Sequence, residues 1–144
     1  MAGDAERDLV AGVIQLANLL TRSLAPVFER TRITPQQWAI LAAIDRAEAP
    51  MTLAALARTM LVSKQNMTGM IVRVEQAGFV ERTGDPEDLR SSRLVLTRRG
   101  RATIEKLRPA YEEWRAAIAG DLSERDLAAA ARTVETLIAN LSAT

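Results

Sequence analysis

Ser63-Lys64-Gln65-Asn66 and Thr68 place five polar side chains within six consecutive positions. The carboxamides of Gln65 and Asn66 have the donor and acceptor pair that matches N6 and N7 of adenine, and Lys64 could reach a guanine edge or a phosphate. Arg73, further along, suits a phosphate or intramolecular contact better than a base. Downstream, Arg90, Arg93, Arg98, Arg99 and Arg101 crowd into twelve positions. Guanidinium groups are planar forks that match phosphate oxygens. The competing reading of the polar run is helix capping and ordinary solvated surface, and Ser63 caps a helix under either reading.

What the chain lacks narrows its chemistry further. It has no Cys and no His among 144 residues. That excludes disulfides, thiolate redox chemistry, Cys/His zinc sites and Ser–His or Cys–His nucleophile pairs. Candidates for catalysis shrink to carboxylates. Glu112 and Glu113 are neighbours that point in different directions on a helix, and Asp85, Glu87 and Asp88 form an acidic turn. No glycine-rich phosphate loop is present. An enzyme is not expected, and neither is a cofactor or metal. The first eight residues have no signal-peptide pattern and no apolar run approaches the ~20 residues of a membrane span, so a cytoplasmic protein with no membrane partner is expected.

Elements that would position these side chains are marked by local signals. An apolar residue, a capping Ser or Thr, and a second apolar residue four places after the cap form a hydrophobic staple. Ile33-Thr34…Trp38, Met51-Thr52…Leu56, Val62-Ser63…Met67 and Leu122-Ser123…Leu127 all fit, placing helix starts near 35, 53, 64 and 124. Pro35 at the first helical position and Gln37 strengthen the first of them. Leu9, Val13, Leu16, Leu20, Leu24 and Phe28 recur at helical spacing, as do Ile104, Leu107, Tyr111, Trp114 and Ile118, with Pro109 predicting a bend. Val134, Leu137, Ile138 and Leu141 form a last stripe, and Met67, Met70, Ile71 and Val74 a core face that Gly78 should end. Residues 79–83 and 93–97 alternate as short strands around the turn residues 84–88, a β-hairpin. Helix, three-residue turn and helix, then a hairpin, is a winged helix-turn-helix.

The net charge of +1 is uneven. Residues 58–108 hold 11 basic and 6 acidic side chains, and the rest of the chain holds 8 and 12. A basic middle between acidic ends suits a surface turned to phosphates.

The densest patterns are Leu53-Ala-Ala-Leu-Ala57, Ser63-Lys-Gln-Asn-Met-Thr68, Val74-Glu-Gln-Ala-Gly-Phe-Val-Glu-Arg82, Asp85-Pro-Glu-Asp-Leu-Arg-Ser-Ser-Arg93 and Leu96-Thr-Arg-Arg-Gly100. With them the chain resembles the MarR family of winged helix-turn-helix transcriptional regulators over most of its length. The resemblance implies a mainly α fold with a small β-hairpin wing, as one domain. Residues 33–100 would form the DNA-binding region, and 1–32 and 101–144 the dimerisation helices. It implies a homodimer on double-stranded DNA, with Arg90 entering the minor groove and Asp88 steadying it. A narrow A·T-rich minor groove concentrates negative potential, which favours Arg. Two departures stand out: Gly69 occupies a recognition-helix position where relatives often carry a longer basic side chain, and Leu89 replaces a frequent Arg. Without Cys, the thiol-oxidation branch is excluded, and the lack of His weighs against zinc sensing.

The function expected on this basis is a sequence-specific regulator, a homodimeric repressor of a pseudo-palindromic operator. An aromatic or acidic small molecule would release it. Phe28, Trp38 and Tyr111, with Trp114, are candidate apolar walls for such an effector, and Arg22 or Arg46 candidate carboxylate partners. The competing reading of the aromatic residues is core packing. The competing reading of the whole chain is a winged-helix protein-interaction module without specific DNA binding.

Overall fold

The computed structural model describes residues 2–84, 87 and 92–143. Six helices and one hairpin follow in order: α1 (Ala2–Phe28), α2 (Pro35–Arg46), α3 (Leu53–Met60), α4 (Lys64–Gln76), β1 (Val80–Thr83), β2 (Arg93–Leu96), α5 (Arg98–Ala119) and α6 (Glu124–Ser142). Their contacts divide the chain into two compact units, Met1–Pro109 and Ala110–Thr144.

The four staples begin helices where their chemistry requires. Thr34 Oγ1 accepts the Gln37 N–H at 3.1 Å and Gln37 Oε1 accepts the Thr34 N–H at 3.0 Å, a reciprocal capping box. Thr52, Ser63 and Ser123 accept the N–H groups of Ala55, Asn66 and Asp126 in the same way. Each cap removes one unsatisfied donor, worth about 1 kcal/mol.

Helix ends obey equally local rules. The N–H groups of Leu61 and Val62 return to the carbonyls of Arg58 and Ala57. Those of Gly78 and Phe79 return to Glu75 and Val74. Both are Schellman closures, which need a left-handed residue. Gly78 meets that need at φ 82° without a Cβ, whereas Leu61 adopts φ 55° with a full side chain. The helix-turn-helix corner is therefore made by a strained leucine.

In the first unit, α2, α3 and α4 pack around Ile40, Leu41, Leu56, Met67, Ile71, Val74 and Leu94, none of them more than marginally exposed. Burial of each such side chain is worth about 1.5–3 kcal/mol before entropy is counted. β1 and β2 pair antiparallel with Val80 opposite Leu96 and Thr83 opposite Arg93. Leu94 and Leu96 point to the core, and the Leu94 N–H also reaches the Met51 carbonyl at 2.8 Å. Met51 thus forms a one-residue third rung beside the hairpin. The first turns of α5 belong to this unit, since Ile104 and Leu107 are buried with its core. Helix α5 continues through Pro109.

In the second unit, α6 buries no residue, and Tyr111 and Trp114 pair at 5.5 Å between ring centroids while half-buried. Ile118, Leu122, Val134 and Leu141 are exposed. Back in the first unit, Leu9, Val10, Ile14, Leu16 and Leu19 leave α1 with a similarly bare apolar surface.

The expectation that no stretch comes near membrane-span length needs correction. Gly3–Phe28 is 26 residues long and contains an 18-residue window of mean hydropathy 1.3, enough to span by length and composition alone. Asp8, Gln15, Asn18 and Arg22 nevertheless fall at spacings of seven, three and four, one polar line along the helix. A spanning helix is apolar all round, whereas this one has a single face to cover.

Two glycines give a paired test of the packing. A Cβ on Gly100 would overlap the Phe79 carbonyl oxygen, while one on Gly69 would meet nothing within 4 Å. Gly100→Ala should therefore lower unfolding free energy by about 1–3 kcal/mol, and Gly69→Ala should raise it by about 0.5–1 kcal/mol. Urea denaturation of both variants measures the two signs.

Candidate nucleic-acid interface

Helix α4 divides cleanly between faces. Met67, Ile71 and Val74 point inward with no measurable exposure. Met70, expected in the core, is only half-buried. Ser63, Lys64, Gln65, Asn66, Thr68 and Gly69 are all exposed, forming one continuous surface over the first two turns. Packing leaves this surface no freedom to turn inward, because rotating α4 would expose its three buried side chains.

Within that surface the groups differ in what they still offer. Ser63 Oγ is engaged as the cap. Thr68 donates its hydroxyl to the Lys64 carbonyl at 2.9 Å, which leaves its oxygen lone pairs and methyl group outward. The Gln65 and Asn66 carboxamides and the Lys64 ammonium have no intramolecular partner among the described residues. Val72 is also exposed, one turn beyond Thr68, and extends the same face with an apolar side chain suited to a thymine methyl. The sequence reading missed it, although its spacing of four from Thr68 was the available signal.

Three residues separate the last turn of α4 from the hairpin, and an ion pair holds the two together. Arg82 Nη2 lies 2.9 Å from Glu75 Oε1, and its Nε donates to the same oxygen at 2.9 Å. With each side chain about one-third exposed, the pair serves to set the wing's angle to α4 more than to add stability. This contact too was missed, since nothing in a seven-residue spacing across a glycine turn announces it.

The arginines expected at phosphates have separate surroundings. Arg98 and Arg73 are exposed, and Arg98 has no partner among the described residues. Arg93 is half-buried and donates to the Ser92 carbonyl at 3.3 Å, among other contacts. Arg99 lies over the Phe79 ring at 5.3 Å. Arg101, counted with the basic cluster, donates to the Leu96 carbonyl at 3.0 Å and so braces the end of β2. Asp88 and Arg90 lie outside the described residues.

Of the residues expected at an effector, the first unit brings only Phe28 and Trp38 into contact among the described residues. Phe28 and Trp38 are buried and pack in a tilted ring contact, with centroids 6.0 Å apart. Arg22 and Arg46 are exposed on α1 and α2, and Tyr111 belongs to the other unit. None of the five lines a cavity described below or the hollow beside Ile44 and Pro50.

Comparison with known proteins agrees with this geometry. The model of the MarR family matches residues 33–92, which span the polar face, the turn and the first strand of the wing. The transcriptional activatory protein BadR of Rhodopseudomonas palustris is 35% identical over 133 residues, covering 88% of this chain and 76% of BadR. The chain belongs to the MarR family. Among solved structures, the MarR family regulator AbsC of Streptomyces coelicolor superposes with a TM-score of 0.84 at 24% identity, covering 98% of this chain and 97% of AbsC. The S. aureus MepR–DNA complex superposes with a TM-score of 0.77 at 15% identity, covering 90% of this chain and 93% of MepR. Membership makes this MarR chain a DNA-binding transcriptional regulator, with its winged fold matched over nearly its whole length.

The division of labour on the MarR surface is measurable. On a duplex selected from a random pool, Gln65→Ala and Asn66→Ala should each cost about 1–3 kcal/mol at particular bases and relax specificity there. Arg98→Ala should weaken all sequences alike and reduce the slope of log affinity against log salt by about 1. Fluorescence anisotropy over a salt series separates the two behaviours.

Proposed function

We propose that this protein acts in the cytoplasm as a homodimeric repressor of a pseudo-palindromic operator. Ser63, Lys64, Gln65, Asn66 and Thr68 read the major groove, and Arg90, steadied by Asp88, enters the minor groove. Arg73, Arg93 and Arg98 meet backbone phosphates, whereas Arg99, expected there from the sequence, lies over the Phe79 ring. The observation that carries the sequence-specific reading is the unpartnered carboxamide and ammonium face of α4. A surface serving only protein contact has no need for three such groups in adjacent positions above a rigid core.

The dimer reading is supported by bare apolar area. The second unit has no buried residue among those described, and α1 exposes six large aliphatic side chains. Surfaces of this kind mark an interaction site on a protein that is otherwise well packed. A second copy would bury them isologously, and the two α4 helices would then face half-sites about 34–36 Å apart. An aromatic or acidic small molecule would release such a dimer by binding one spacing of the helices more tightly than the other. Gene activation is the second reading, favoured by the name of BadR, a 35% identical relative called a transcriptional activatory protein.

Selection of bound duplexes followed by footprinting should return an inverted repeat with half-sites one helical turn apart. Arg90→Ala should then cost about 1–3 kcal/mol, chiefly at A·T-rich flanks. An asymmetric motif would count against the homodimer, and no selected motif against sequence-specific binding. A reporter with the site at its own promoter reads the sign: lower expression with the protein present supports repression, and higher expression supports activation.

A further inference from the structure

On the first unit, the segment joining α1 to α2 and the start of α5 enclose a hollow of about 240 Å³. Its floor is apolar and well covered, made by Ile33, Phe79 and Leu107. Its rim carries four cations, Arg30, Arg32, Arg99 and Lys106, and no carboxylate among the described residues lines it. None of the four takes part in an ion pair with a described residue. Elsewhere in the same unit arginines do find carboxylates: Arg82 has Glu75, and Arg108 has both Asp45 and Glu105.

Four cations around a concave, low-dielectric wall, with no carboxylate partner among the described residues, repel one another and focus a positive potential into the hollow. An anion placed there relieves the repulsion, and a dianion does so better than a monoanion. Arginine forks match phosphate and carboxylate oxygens bidentately. The wall of the hollow is mainly apolar carbon, so a ligand that carries a small apolar group gains contacts there that a bare inorganic ion does not. Arg99 over the Phe79 ring makes a flat shelf on one side. The volume falls below the roughly 300–1,000 Å³ of sites for drug-sized ligands, so the apolar part must be about one ring.

We propose that this hollow binds a small organic phosphate monoester, its dianionic group among the four cations and its apolar group on the floor. The site differs from the residues named above for an effector. It deepens the ligand-release reading, because the floor is a structural junction. The Phe79 N–H closes the end of α4 on Val74, and the Phe79 carbonyl accepts the Thr97 N–H ahead of α5. A ligand resting on Phe79 therefore touches the segment through which the recognition helix, the wing and α5 are joined.

The test is calorimetric titration of the intact protein, without DNA, by phenyl phosphate. Benzoate serves as the monoanionic ring and inorganic phosphate as the anion without a ring. Phenyl phosphate should bind once per chain with Kd of about 1 mM or tighter, and at least about tenfold more tightly than either comparator. The double variant Arg32→Gln/Lys106→Gln should lose about tenfold or more of that affinity. So should Thr103→Phe, which fills the hollow while keeping every charge. Both variants should keep the parent Tm and shift the selected duplex as the parent does without ligand. No saturable binding of phenyl phosphate overturns the proposal, as does a comparator that binds equally well. Binding unchanged in both variants overturns it too, by placing the ligand elsewhere. If phenyl phosphate fails to bind and Arg30→Gln reduces the salt slope of DNA binding, the cations are DNA phosphate contacts and the proposal falls. Because ligand binding is read without DNA, its failure is distinguishable from failure of the regulator reading.

Discussion

The peptide unit at Phe79 joins the parts of the DNA-binding region that must hold a fixed relation. Its N–H ends α4 on the Val74 carbonyl, and its own carbonyl accepts the Thr97 N–H at 3.0 Å. Thr97 then donates its hydroxyl to the Gly78 carbonyl at 2.6 Å and accepts the Gly100 N–H at 3.0 Å, opening α5. Gly100 is a glycine because the Phe79 carbonyl leaves no room for a side chain. A recognition helix can present Gln65 and Asn66 in a set orientation only if its far end is anchored. Here one residue anchors it to the wing and to α5 together.

Around that junction, charge is distributed by role. Arg82 and Glu75 tie β1 to α4, and Arg101 ties α5 to the end of β2, so these two arginines are used within the chain. Arg98 and Lys64 are left for solvent or a partner. The +5 segment seen in the sequence is therefore not five spare charges. It is a mixture of braces and free groups, and the free ones sit on the exposed face of α4 and at the start of α5. Bare apolar surface on α1 and in the second unit shows in the same way that the isolated chain leaves its apolar area incompletely covered.

Much of the fold was legible because its signals act over four or five residues. A capping hydroxyl reaches an N–H three residues on, and a staple spans five, so Thr34, Thr52, Ser63 and Ser123 marked their helices without reference to the rest of the molecule. Periodicity separated Met67, Ile71 and Val74 from the polar face for the same reason. The left-handed Leu61 gave no such sign, since leucine is a poor choice for that conformation, although the hydrogen bonds of Leu61 and Val62 to Arg58 and Ala57 close the turn there. The Met51–Leu94 rung was hidden too, because it joins residues 43 positions apart.

For the candidate site, the sequence by itself determined which residue types would lie on one face of α4, because helical spacing and caps are local properties. It also determined the family, since the order of polar run, glycine turn and arginine-bearing wing is specific. Only the tertiary structure decided the use of each aromatic and cationic side chain. Phe28 and Trp38 pack against each other in the core and Arg101 braces a strand, while Arg30, Arg32, Arg99 and Lys106 converge on a hollow. A guanidinium or a ring has no intrinsic preference among core, brace and ligand wall. Its role is set by what the fold brings within a few ångströms, and for these residues that neighbourhood is assembled from segments far apart in the chain.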